Sequence, residues 1–180
     1  MSKKDEILEV AIESLQKKGV NGFSFRDLAD AVGVKSSSVH YHFPNKSELF
    51  KAILTRFGEQ FLTLLKAVEE ESTSLEELCT GFIAVFEGVL AKDRFCVCGM
   101  FAVDQQHLEP EVIEYTKASF EAVESWLATA IEAYPETKVA ALSIARLLIA
   151  SCEGALLVDW NAGNQDYFKA MRDCLPALLV

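Results

Sequence analysis

Ser24-Phe25-Arg26-Asp27-Leu28-Ala29-Asp30-Ala31-Val32-Gly33-Val34-Lys35-Ser36-Ser37-Ser38-Val39-His40-Tyr41-His42-Phe43-Pro44-Asn45-Lys46 carries two helix starts, a glycine stop and a proline stop. Ser24 with Asp27 three residues on is a capping box with Asp in place of Glu, and Phe25, Leu28, Ala29 and Val32 then recur on one helical face. Gly33 ends this short helix. The next segment, Lys35 to Tyr41, has room for about two turns, because Phe43 precedes Pro44 and is pushed out of the helical region. Its exposed face is polar (Lys35, Ser36, Ser37, His40, Tyr41), and Val39 is the apolar anchor that seats it on the helix before. An amphipathic helix, a glycine turn and a short polar helix together fit a helix-turn-helix. An ordinary corner between two helices with a solvated face has the same pattern.

Outward from this stretch the chain is helical by pattern. Ile7, Leu8, Ala11 and Leu15 share one face of a first helix that ends at Lys17-Lys18-Gly19. Asn45 with Glu48 opens a long fourth helix striped by Leu49, Phe50, Ile53, Leu54, Phe57, Phe61, Leu64 and Leu65. Ser74 with Glu77 caps a fifth segment ending near Lys92. A short one surrounds Met100, and Pro110 opens a long one reaching Tyr134. From Val139 to Trp160 the chain is apolar on nearly every side, and Gly163 separates this segment from a last helix reaching Leu179. No segment reads as a strand or an internal repeat.

The chain has 180 residues, 51% apolar and 24% charged, with nine Gly and four Pro, which excludes disorder and collagen-like or loop-rich scaffolds. That length buries a core without staples. Five cysteines follow an N-terminus with no signal-peptide run, which points to a reducing cytoplasm. The net charge of −10 argues at first against nucleic acid, but it is unevenly spread. Through Arg56 there are nine Lys/Arg against seven Asp/Glu; beyond it, eight against twenty. A near-neutral head precedes an acidic body.

The residues from Phe23 through Phe57 resemble the DNA-binding head of the tetracycline-repressor (TetR/AcrR) transcription regulators. Ser24, Leu28-Ala29, Ala31, Gly33-Val34, Ser38, Val39, His42-Phe43, Lys46 and Leu49 match that pattern; Lys35, Ser37 and His40 depart from it. The resemblance implies an all-α fold in which a three-helix head is joined by a long fourth helix to a helical body. It implies a DNA-binding domain over residues 1–46 and an effector-binding and dimerisation domain over residues 47–180. Lys46, at the start of helix four, would meet a phosphate. Tyr41 and His42 can donate to phosphates, with Arg26 as a further backbone-contact candidate. Lys35, Ser36, Ser37 and His40 are placed toward base edges or sugar. His42 packed beneath Phe43 is the structural alternative.

The Val139–Trp160 segment is long enough to span a membrane, but Arg146, Glu153 and Asp159 speak against that. Burial against a second subunit is the simpler solution, with Ala145, Leu148, Cys152, Gly154 and Leu156 of this helix and Phe168, Met171 and Leu175 of the last as the expected interface. Phe82, Phe86, Met100, Phe101, Phe120 and Trp126 are candidates to line a pocket for a small hydrophobic or aromatic effector, although aromatics at helical spacing also build plain cores. No phosphate loop, nucleophile elbow or paired-histidine motif supports catalysis, and no metal or cofactor is expected.

The combined expectation is a cytoplasmic, homodimeric, non-enzymatic repressor that binds a palindromic operator and is released by such an effector. Two alternatives stand beside it. One is a helical protein-interaction module; the other is a regulator in which Cys96 and Cys98 sense metal or electrophiles, against which stands ordinary thiol packing.

Overall fold

The computed structural model describes residues 2–135 and 137–179. Among the described residues the elements are α1 (Lys3–Lys18), α2 (Phe25–Val32), α3 (Ser36–His42), α4 (Lys46–Glu71), α5 (Leu75–Leu90), α6 (Val97–Val103), a 3-10 turn (Gln105–His107), α7 (Pro110–Glu132), α8 (Ala141–Ala162) and α9 (Asp166–Leu178). No strand occurs among them. They form two compact units, residues 1–59 with 97–119 and residues 60–96 with 120–180, so α4 and α7 each contribute to both.

In the first unit the helix starts are set by side chains that satisfy helix-terminal amides. Ser2 and Asp5 cap α1 reciprocally, and Ser24 and Asp27 do the same for α2. At α4 the Asn45 side-chain oxygen accepts from the Glu48 amide at 2.9 Å. Gly33 closes α2 in the left-handed region (φ 71°, ψ 38°), where a side chain would be strained, and the Val34 amide returns to the Ala29 carbonyl at 2.9 Å. Phe43 leaves α3 in an extended conformation before Pro44, as the proline requires. Ile7, Leu15, Leu28, Val39, Leu49 and Ile53 are fully buried together, so α1 to α4 share one core.

That core also takes in Val97, Phe101 and Val112, with Phe101 edge-on to Phe50 at 5.1 Å between ring centroids. Polar ties reinforce the association: Lys51 pairs with Glu48 at 2.6 Å and Glu111 at 2.9 Å, and the Asn21 amide donates to Asp104 at 3.0 Å. Arg56 reaches Asp5 at 2.7 Å and Glu9 at 2.9 Å, joining α4 to α1. Hydrogen bonds from Ser2 and the Arg56 guanidinium hold the Asp5 carboxyl down to about 2.

In the second unit Phe82, Phe86 and Phe61 pack at 5.4 and 5.7 Å, and Leu78, Ile83, Leu127 and Ile131 are fully buried. α8 is long and apolar enough by composition to cross a membrane, yet its inward face carries a fully buried carboxylate, Asp159. Asp159 accepts from the Tyr167 and Phe168 amides, each at 3.0 Å, and so anchors the first turn of α9 to the end of α8. Arg172 of α9 forms a two-pronged pair with Glu87 of α5.

Candidate nucleic-acid interface and body cavities

α3 buries one of its seven residues, Val39, and this is what the sequence pattern predicts for a short helix seated on α2 and otherwise turned outward. Lys35, Ser36, Ser37, His40 and Tyr41 are exposed, as is Arg26 on α2. Tyr41 is 83% exposed, so its ring and hydroxyl are free to meet a ligand. His40 lies edge-on to Phe25 at 4.7 Å, so its ring is held in place while remaining accessible. His42 is half-buried and packs on Tyr41 at 5.1 Å.

Lys46 opens α4. Its side chain is half-buried, and its ammonium points back to the Val20 carbonyl at 3.5 Å, with the Phe23 and Phe50 rings at 5.4 and 5.9 Å. The two aromatic faces attract the ammonium modestly, and since Val20 and Phe23 lie more than twenty residues away in sequence the local pattern gives no hint of them. Lys4 is exposed. It sits on α1 with its ammonium over the Phe43 ring at 5.7 Å, a neighbour separated from it by most of the head's sequence.

The six candidate effector residues are distributed over both units. Phe101 and Met100 belong with the first unit's core, because α6 packs there and its apolar spacing does not say on which core. Phe82 and Phe86 are interior to the second unit, and Trp126 is half-buried with its indole donating to Glu69 at 3.0 Å. Phe120 borders a cavity of about 290 Å³ between α7 and α8, shared with Ile149, Ala150, Glu124, Arg146 and Glu153. There Arg146 meets Glu124 at 2.8 and 3.2 Å, and burial pushes the Glu153 carboxyl up while a hydrogen bond from the Cys96 thiol opposes it. A second, largely apolar cavity of about 210 Å³ lies among Ile83, Ile144, Leu148, Met171, Leu175 and Leu178.

Of the residues expected at a subunit interface, Ala145, Leu148, Cys152, Leu156, Phe168 and Leu175 are buried within the chain itself, Met171 is half-buried and Gly154 is exposed. A helix apolar all round has no phase, so its outward face could not be picked from the pattern. Leu142, Leu147, Leu157 and Trp160 of the same helix are exposed, as is Gly154, where an added Cβ meets open space. Among the described residues no group of three or more His, Cys, Asp or Glu is arranged to hold a metal ion. Cys96 is buried and Cys98 half-buried, and they fall in different units. Burial raises the Cys79 thiol to about 12, and Cys152 shifts upward for the same reason.

A short polar helix presented by an amphipathic partner, among helices throughout the described residues, is the arrangement of a helix-turn-helix protein. Residues 7–53 match the family model described as "Bacterial regulatory proteins, tetR family". A TetR transcriptional regulator from Legionella pneumophila shares the fold with a TM-score of 0.91 at 30% identity, covering 100% of this chain and 98% of that one. A TetR-family regulator from Agrobacterium tumefaciens gives a TM-score of 0.91 at 26% identity over 99% and 98% of the two chains. The HTH-type transcriptional repressor KstR2 of Mycolicibacterium smegmatis is 30% identical over 89 residues, 49% of this chain and 43% of that protein. The match therefore spans less than half of the curated relative's length. The chain belongs to the TetR family of transcriptional regulators, a non-enzymatic family of DNA-binding proteins.

Proposed function

We propose that this chain is a cytoplasmic homodimeric repressor that holds a palindromic operator through residues 1–46 and is released by a small hydrophobic or aromatic effector bound within residues 47–180. The observation that carries the DNA half is the outward face of α3, where Lys35, Ser36, Ser37, His40 and Tyr41 are exposed around the single buried anchor Val39. Small hydroxyl side chains let such a helix approach the major groove closely, and Lys35 and Tyr41 supply donors to phosphate or base edges. Arg26 and His42 flank them as backbone contacts, and Lys46 joins them by leaving the Val20 carbonyl.

The exposed row of Leu142, Leu147, Leu157 and Trp160 on α8, with Tyr167 and Leu178 of α9, supports a second copy as the cover of that face. Two recognition helices then bind together only when they match major grooves about 34–36 Å apart. An effector that changes their separation releases the operator. The largely apolar cavity of about 210 Å³ in the second unit supports a small ligand with a mainly apolar body. The test is selection of bound fragments from genomic DNA, followed by titration at several salt concentrations. A palindromic fragment bound with an affinity that falls steeply with salt is the expected result. The absence of duplex selectivity at any salt would overturn the reading in favour of a protein-interaction module.

A further inference from the structure

We infer that Lys4, on the first turn of α1, is a further DNA-contacting residue that places its ammonium on an operator phosphate beside the end of α3. This inference rests on the DNA-binding reading above. The first turn of α1 is rich in carboxylates, and each is already taken: Glu6 by Lys3 at 2.6 Å, and Asp5 by Arg56 at 2.7 Å, with Glu9 one turn on also held by Arg56 at 2.9 Å. Lys4 is left exposed, with no carboxylate partner among the described residues. Its described neighbour is the face of Phe43, 5.7 Å from ammonium to ring centroid.

Phe43 is the residue that closes α3, and it is buried. An exposed lysine stem laid on a fixed ring loses part of its rotamer freedom before any ligand arrives, so less is lost on binding. The ring also sets where the charge stands. Two positions before Phe43 in the chain is Tyr41, the most exposed aromatic of the head, and three positions after it α4 opens, where the helix dipole favours an anion. Lys4 thus offers an unneutralised cation from α1 beside the residue that ends α3, three positions before α4 begins. The other cations of α1 differ: Lys3 is paired with Glu6, Lys17 is paired with Glu13 at 3.0 Å, and Lys18 lies at the far end of the helix.

The experiment compares the full-length protein with Lys4→Ala, Lys4→Arg and Lys17→Ala on a duplex selected from genomic DNA, reading affinity across salt concentrations and the melting temperature of each protein. Loss of one phosphate contact lowers the slope of log K against log salt by about 0.9, hence by about 1.8 for a two-fold dimer with one such contact in each half. Lys4→Ala is expected to show that loss on every duplex alike, Lys4→Arg to keep the parent slope, and Lys17→Ala to leave it unchanged. Equal slopes for the parent and Lys4→Ala would overturn the inference, and so would equal losses in Lys4→Ala and Lys17→Ala, which would make the effect one of net charge. A lower melting temperature with an unchanged slope would assign Lys4 a purely packing role. If the parent itself shows no salt-dependent duplex binding, the DNA-binding reading fails first, which is a different result.

Discussion

α3 and α8 sit at opposite ends of what a sequence pattern can specify. α3 is short and polar with one buried residue, so its inward and outward faces are assigned as soon as Val39 is recognised as the anchor. α8 is apolar around its circumference, and only the fold selects Ile144, Ala145, Leu148, Cys152 and Leu156 for the interior and Leu142, Leu147 and Leu157 for the surface. Polar contrast gives a helix its phase, and without contrast tertiary packing supplies it. The two helices also differ in what an altered residue is expected to damage: on α3 a surface change leaves the fold alone and tests the proposed recognition face, whereas on α8 neighbouring positions test the fold and the proposed assembly separately.

The largest expected effect separates two adjacent positions of α8. Leu156→Asp places an unpaired charge in a fully buried site and is expected to unfold the second unit, at a cost of more than about 4 kcal/mol. Leu157→Asp, on the 52% exposed neighbour, should melt near the parent temperature but sediment as a monomer. If Leu157→Asp sediments like the parent, the outward row is not where a second copy docks. A smaller effect is expected on α3, where Val39→Ala removes two methyl groups from a fully buried site and should destabilise the chain by about 2 kcal/mol in denaturant melts. Operator affinity should fall further than stability, since the anchor also positions the recognition face. An unchanged midpoint would mean that α3 is seated by something other than Val39.

The smallest effect concerns α1. The Asp5 carboxyl lies below its unfolded value of 3.8, at about 2, so its contribution to stability is present above pH about 4 and is lost as the solution is acidified toward 2. Asp5→Asn should therefore melt below the parent at pH 6 and approach it at pH 3. A constant gap between the two proteins across that range would show that the capping and Arg56 interactions do not depend on the charge.

Local signals were legible where a residue acts on its own neighbours. The Ser24–Asp27 and Asn45–Glu48 caps, the glycine stop at Gly33 and the proline stop after Phe43 all concern atoms within a few residues, and the helices begin and end accordingly. The fold class, the turn and the exposed polar face of α3 followed from them. What escaped the pattern is long-range. Val97, Phe101 and Val112 look like any amphipathic helix spacing, and nothing local says that they complete the core of α1 to α4. Lys46 turning to Val20, and Lys4 resting on Phe43, depend on neighbours far away in sequence.

The buried carboxylate of Asp159 has a consequence for where this chain tolerates truncation. Its two oxygens are satisfied by amides that belong to the next helix, Tyr167 and Phe168. A stop codon placed in the Gly163 turn would remove those donors and strand a dehydrated anion at the end of α8, together with the side of α8 that α9 covers. The product of such a lesion would be a destabilised chain prone to clearance, and the last turn of α8 would fray outward until water reached Asp159.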